Sequence, residues 1–193
     1  MTRLALVSLL AVCASAALAA PYYTIHDLGP VSGFSNAQGF GVSPNGIATG
    51  RQFGTGTRAF TWTPQTGVVL LDSLTTPARN FCSGNDVNRQ GQVVGVGATT
   101  FFGSSRLPLI WNGTVVSQLP LPAGETIGDA YAINDSGMVA GSVDGGSLQQ
   151  AAYWSGGVPQ VITATTTSGE FMVNGYGINE AGFVVGSGWD PNN

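Results

Sequence analysis

The ten residues Ala132-Ile133-Asn134-Asp135-Ser136-Gly137-Met138-Val139-Ala140-Gly141 form a pattern that occurs four times in this chain. The other copies are GVSPNGIATG at 41–50, DVNRQGQVVG at 86–95 and GINEAGFVVG at 177–186. Successive copies begin 45, 46 and 45 residues apart. A pattern of this length kept at a nearly constant interval is typical of a repeat protein.

Each copy contains the signal for a tight turn. Asn or Ser stands first, two variable residues follow, and Gly stands fourth. An Asn or Ser side chain accepts hydrogen bonds from the turn backbone, and Gly adopts a positive φ without a steric penalty. The pattern therefore predicts a hairpin with a type I turn and a left-handed glycine. The predicted turn glycines are Gly46, Gly91, Gly137 and Gly182.

Two further strands are predicted between successive turns. In each of the first three units, one strand ends in a tryptophan and an apolar strand follows it. The three tryptophans are Trp62, Trp111 and Trp154. The regular recurrence of these rings favours packing in the core over stacking against a ligand. Four short strands in about 45 residues are typical of a β-propeller blade. We expect an all-β fold with propeller-like blades in an incomplete or open propeller, and a β-solenoid or β-sandwich array is the alternative.

The chain divides into a leader and one repeat domain. Residues 1–19 combine Arg3, an apolar run and Ala17-Leu18-Ala19, which indicates a secretory signal peptide. We expect residues 20–193 to form the β-repeat domain, located outside the cell, at its surface or in the periplasm, with no membrane span. The domain is predicted to contain an N-terminal strand at 22–28 and units at about 38–74, 84–119, 130–162 and 175–193. The last unit lacks two of its strands, so we expect further units in the natural protein and unpaired strand edges here.

These segments resemble a known family of exported bacterial proteins, the HAF-type extracellular repeat. The resemblance lies in the ten-residue pattern, in Arg58-Ala59-Phe60-Thr61-Trp62 and in the opening Tyr23-Thr24-Ile25-His26-Asp27-Leu28-Gly29. It departs at the signature histidine, which is replaced by Arg58, Leu107 and Gln150. The resemblance implies export and a repeat fold, and it implies no established catalytic activity.

Composition argues against several kinds of site. Charged residues make up 8% of the chain, the net charge is −4, and no basic cluster exists, which disfavours nucleic-acid binding. One His and two Cys are too few for a typical metal site. His26 is the sole imidazole and is expected to be a solvated strand residue beside Asp27. We therefore predict no catalytic residue, cofactor or metal, and a buried, unreactive Cys82.

Two classes of function remain. The first is an exported, non-enzymatic binding or scaffold module, whose unknown ligand is a carbohydrate or a protein. The alternative is a propeller-type hydrolase that acts on a polysaccharide. A hydrolase of this kind needs two carboxylates about 5–10 Å apart, and the sequence cannot show whether any two acidic residues meet.

Overall fold

A computed structural model describes residues 24–101, 103–145 and 148–190 of the chain, and these ranges contain fourteen β-strands and no helix. The all-β prediction is confirmed, and none of the sheets closes into a barrel. In chain order the strands are β1 (Phe34–Val42), β2 (Ala48–Gly54), β3 (Thr57–Thr63), β4 (Gly67–Leu70), β5 (Phe81–Val87), β6 (Val93–Ala98), β7 (Arg106–Asn112), β8 (Val115–Gln118), β9 (Ile127–Ile133), β10 (Val139–Asp144), β11 (Gln150–Ser155), β12 (Val158–Val161), β13 (Phe171–Ile178) and β14 (Val184–Trp189).

The strands form three groups of four and a final pair. In unit 1 (β1–β4), unit 2 (β5–β8) and unit 3 (β9–β12), each strand pairs antiparallel with the next. Strands β13 and β14 form the terminal hairpin. The first strand of each group packs against the second strand of the preceding one, so β5 contacts β2, β9 contacts β6, and β13 contacts β10. One parallel bridge, between Thr57 and Phe81, joins the sheets of units 1 and 2.

The boundaries differ from those expected. Each group begins three or four residues before its predicted start, at Phe34, Phe81, Ile127 and Phe171, because the first strand begins five to seven residues before the ten-residue pattern and ends within it. The strand predicted at 22–28 is wrong for residues 24–28, which belong to no strand. The Asp27 carboxylate instead accepts a hydrogen bond from the Gly29 amide at 3.0 Å, which forms a local turn. Residues 22 and 23, like the expected signal peptide, lie outside the described residues.

The four hairpin turns have the conformation that the pattern predicts. Their glycines have φ between 78° and 83°, and each amide donates to the carbonyl of the first turn residue at 2.9–3.0 Å. The glycine that closes each pattern has a different role. At Gly141, a Cβ would overlap the Asp129 carbonyl oxygen of the neighbouring strand. That position therefore requires glycine because two backbones approach closely, not because of its φ.

The core lies between the groups. Trp111 is buried with Leu71 and Val93 at the boundary of units 1 and 2, and Trp154 is buried with Val139 at the next boundary. Their indole N–H groups donate to the carbonyls of Asp72 at 2.8 Å and Pro120 at 2.7 Å. Trp62 is also expected to pack in the core, and it differs from these two rings. Trp62 is only half-buried, and the exposed ring of His26 lies beside it at 5.1 Å.

Candidate functional site

The first strand of every group contains a β-bulge at the same place. The register shifts there, so that one residue pairs with nothing across the ladder. A bulge redirects the side chain of its extra residue and is common beside functional sites. These residues stand directly before the ten-residue pattern, and we call them the bulge row: Phe40, Asn85, Tyr131 and Tyr176.

The bulge row crosses the boundaries between groups. The Asn85 amide donates to the Ala130 carbonyl of unit 3 at 2.8 Å. The rings of Tyr131 and Tyr176 lie 5.2 Å apart, one in unit 3 and the other in the terminal hairpin. Tyr176 and Phe40 are exposed, whereas Tyr131 is partly covered. The row therefore presents aromatic surface on more than one group at once.

Arg51 supplies a cation beside the row. Its guanidinium carbon lies 5.1 Å from the ring centre of Phe40, 4.7 Å from that of Phe53 and 5.3 Å from that of Phe101. The Gln38 side-chain oxygen accepts from Nε at 3.2 Å and from Nη2 at 2.9 Å. Burial among these groups lowers the pKa of Arg51 from its ordinary value. Among the described residues no carboxylate forms an ion pair with this side chain.

A second arginine on this surface is neutralised. Arg106 Nε lies 3.0 and 2.9 Å from the two carboxylate oxygens of Asp129. Burial raises the pKa of Asp129, and the Arg106 charge opposes that shift. Burial and the neighbouring Asp129 charge also raise the pKa of Tyr131. Arg106 and Asp129 therefore form an ion pair whose charges act on Tyr131 of the row.

A small cleft of about 60 Å³ connects the two arginines, with Phe81 and Phe101 in its lining. A cleft of this volume holds a few water molecules at most and has no room for a sugar ring. A ligand of this surface would therefore lie across the exposed rings and the Arg51 cation.

None of the residues predicted from the sequence as structural or functional belongs to this surface. The predicted turn glycines and tryptophans lie elsewhere, in the turns and between the groups. The available signal was an aromatic residue immediately before the pattern in three of its four copies. Cys82 is fully buried, and burial raises the pKa of its thiol, so it is not poised as a nucleophile.

Other kinds of site are not evident in the described part of the chain. It contains no group of three or more His, Cys, Asp or Glu side chains arranged to hold a metal ion. It also contains no helix that is long and apolar enough to cross a membrane. No protein-family model, curated protein or solved structure matches this chain.

Proposed function

We propose that this chain is an exported, non-enzymatic binding or scaffold module of the HAF-type repeat class, and that the bulge row is its ligand surface. The observation that carries the proposal is the shared bulge position of exposed Phe40 and Tyr176 and of Tyr131, beside the cation of Arg51, which forms no ion pair with a described residue. Aromatic faces stack on the apolar faces of sugar rings, and a guanidinium attracts a carboxylate. These features favour an acidic polysaccharide as the ligand.

The same proposal includes the arrangement of the groups as blades of an open or incomplete propeller. Each of units 1–3 is a four-stranded antiparallel meander, and the first strand of units 2 and 3 and of the terminal hairpin packs on the second strand of the group before it. Adjacent propeller blades pack in this way. A solenoid would instead require parallel pairing between successive turns of the chain, and a single parallel bridge is present among the described strands. Small-angle scattering of the purified protein would distinguish a curved array from a flat sandwich.

The hydrolase alternative depends on two carboxylates that act together. Asp129 and Asp144 lie on adjacent strands, and both interact electrostatically with Arg106. The Arg106 Nε group donates to both carboxylate oxygens of Asp129. A general acid or nucleophile must instead be free to approach the glycosidic bond. We therefore favour binding over hydrolysis, and polysaccharide cleavage that is lost in Asp129→Asn would reverse this preference.

A glycan array probed with the purified protein tests the proposal. We expect binding to acidic glycans that weakens roughly 2- to 30-fold in Arg51→Gln and comparably in Tyr176→Ala. Val115→Ala is the control, because Val115 is also exposed but lies on the outer strand β8. If the purified protein binds another protein and no glycan, the ligand in the proposal is a protein and not a carbohydrate. Equal binding by all three variants would exclude the bulge row as the ligand surface.

A further inference from the structure

The terminal hairpin has an open strand edge. Strand β14 pairs with β13 alone among the described strands, whereas β2, β6 and β10 each pair on their other side with a third strand. The free edge presents backbone N–H and C=O groups that another extended segment can use. The hairpin therefore has the backbone partners for one more antiparallel strand.

Two clefts lie beside this open edge. One has a volume of about 480 Å³ and is lined by Met138, Tyr153, Ile162, Met172 and Val184, together with residues 181–183. The other has a volume of about 350 Å³ and is lined by residues 164–166 and 170–172 and by Gly186, Ser187 and Gly188. Met172 contributes to both, so the clefts are adjacent, and we call the pair the terminal cleft.

The larger cleft corresponds to the place of a tryptophan at the other boundaries. Val93 pairs with Trp111, and Val139 pairs with Trp154. Val184 holds the same position in the ten-residue pattern as these two valines. Because Val184 lines the larger cleft, a strand added to β14 in the same register would place its tryptophan there.

The smaller cleft corresponds to the place of two leucines. On β6, Gly95 pairs with Leu109 and Gly97 pairs with Leu107, and both leucines are buried. Gly186 and Gly188 have the corresponding positions on β14 and line the smaller cleft. The terminal cleft as a whole therefore matches three alternating side chains of one strand: two apolar residues followed by Trp.

An acceptor for the indole is also present. Trp111 donates to the carbonyl of the residue after Leu71, and Trp154 donates to that of the residue after Leu119. Ile162 is the equivalent of Leu71 and Leu119. The backbone amide of each of these three residues donates to the carbonyl at the same position in the third strand of its own unit. The carbonyl of Thr163 therefore has the place of the two indole acceptors, and no described residue donates to it.

We propose that the terminal cleft binds an extended strand of a partner polypeptide with the sequence pattern apolar-x-apolar-x-Trp. The strand would pair antiparallel with β14, place its Trp opposite Val184, and donate the indole N–H to the Thr163 carbonyl. This is strand addition to a sheet edge, in which backbone hydrogen bonds provide affinity and alternate side-chain pockets provide specificity. The proposal concerns a different surface from the bulge row and does not depend on glycan binding.

A peptide taken from this chain tests the proposal. The probe is a fluorescein-labelled peptide with the sequence of residues 106–118, RLPLIWNGTVVSQ, which contains Leu107, Leu109 and Trp111. Fluorescence anisotropy with the full chain should show saturable binding. Replacement of Trp111 by Ala in the peptide should weaken that binding by at least about tenfold, since a buried Trp is a typical anchor residue.

A matched pair of protein variants locates the binding site. Ala181 is exposed and lines the larger cleft, so Ala181→Trp should fill the cleft from within and abolish peptide binding. Ser136 has the same turn position in unit 3, where Trp154 already occupies the boundary, so Ser136→Trp should bind the peptide normally. Circular dichroism checks that both variants fold. The proposal is overturned if the peptide does not bind, if its Ala version binds equally well, or if both protein variants lose binding together.

Discussion

Replacing Asn134 by Ala should destabilise the fold more than the same replacement at Asn179, although both residues stand first in their turns. The side-chain oxygen of Asn134 accepts from the Met138 amide and the Ser136 hydroxyl, each at 2.8 Å. Its amide group donates to the Asn179 carbonyl of the next turn at 3.0 Å. Asn179 also accepts two hydrogen bonds within its own turn, but among the described residues its amide group has no acceptor.

The expected difference follows from burial and from the number of hydrogen bonds. Asn134 is 3% exposed, so water does not readily replace the three hydrogen bonds that its side chain makes. A hydrogen bond contributes about 1 kcal/mol net, and an orphaned buried group costs about 1–3 kcal/mol. We expect Asn134→Ala to lower the free energy of unfolding by about 2–3 kcal/mol. Asn179 is exposed and water replaces its partners, so Asn179→Ala should cost about 1 kcal/mol or less.

Urea unfolding followed by tryptophan fluorescence measures both variants, because Trp111 and Trp154 are buried at the boundaries between groups. Asn134→Asp serves as a further probe, since it keeps the acceptor oxygen and removes the donor to the next turn. It should retain the hairpin and still lose at least about 1 kcal/mol. Equal losses at Asn134 and Asn179, with unchanged m-values, would refute the claim that the turns support each other across the boundaries.

Three other changes have defined outcomes. Gly137→Ala should cost about 1–2 kcal/mol because of its positive φ, whereas Gly141→Ala should cost more because its Cβ would overlap a backbone carbonyl; thermal melts that give the reverse order would contradict this. Trp111→Ala should cost about 3–5 kcal/mol and Trp62→Ala clearly less, and equal losses in urea would contradict their difference in burial. Burial raises the pKa of Asp86 above 3.8, so the folded chain keeps a proton that the unfolded chain has released. Stability should therefore fall as the pH rises from 3.8 through the raised pKa, and unfolding measured from about pH 4 to pH 7 should show a flatter profile for Asp86→Asn.

The sequence predicted those features that depend on local chemistry. Gly137 and its equivalents are required by a four-residue turn, and a four-residue window is enough to recognise them. The bulge at Tyr131 is different, because it arises from the register between two strands, and that register cannot be read from a local stretch of sequence. The same applies at position 141, where glycine is required because a Cβ would overlap the Asp129 carbonyl oxygen on the neighbouring strand. Both features required the paired strands to be known.

Two predictions failed because they treated every copy of the pattern as equivalent. Trp62 shares its position with Trp111, but residues 24–33, the described residues before unit 1, contain no strand that could enclose it. The strand predicted at 22–28 relied on the spacing of Leu28 from later leucines. A strand also needs a partner, and residues 24–28 have none, while Gly29 and Gly33 adopt positive φ just beyond them. The period of the sequence predicts which residues can form strands and pack in the core. The adjacent segments determine whether those residues are paired and buried.

The two ends of the array show this dependence on neighbours at single positions. Val42 is 69% exposed, although its equivalents Val87 and Ile133 are 3% and 5% exposed, because each of those is covered by a preceding group. Val185 is 66% exposed, although its equivalent Val94 is fully buried under the next group. The side chains are alike and the local structure is the same, so only the adjacent group differs. Each internal boundary is therefore made of two faces that are apolar on their own.

The hydrogen bonds across the boundaries run in both directions. Asn side-chain amides donate forward to the next turn, and indole N–H groups donate back to the preceding group. The terminal hairpin consequently presents an apolar face and an Asn179 amide group that has no acceptor among the described residues, and the Thr163 carbonyl before the hairpin accepts from no described residue. This combination makes its open edge selective for a strand of the kind that the chain itself contains.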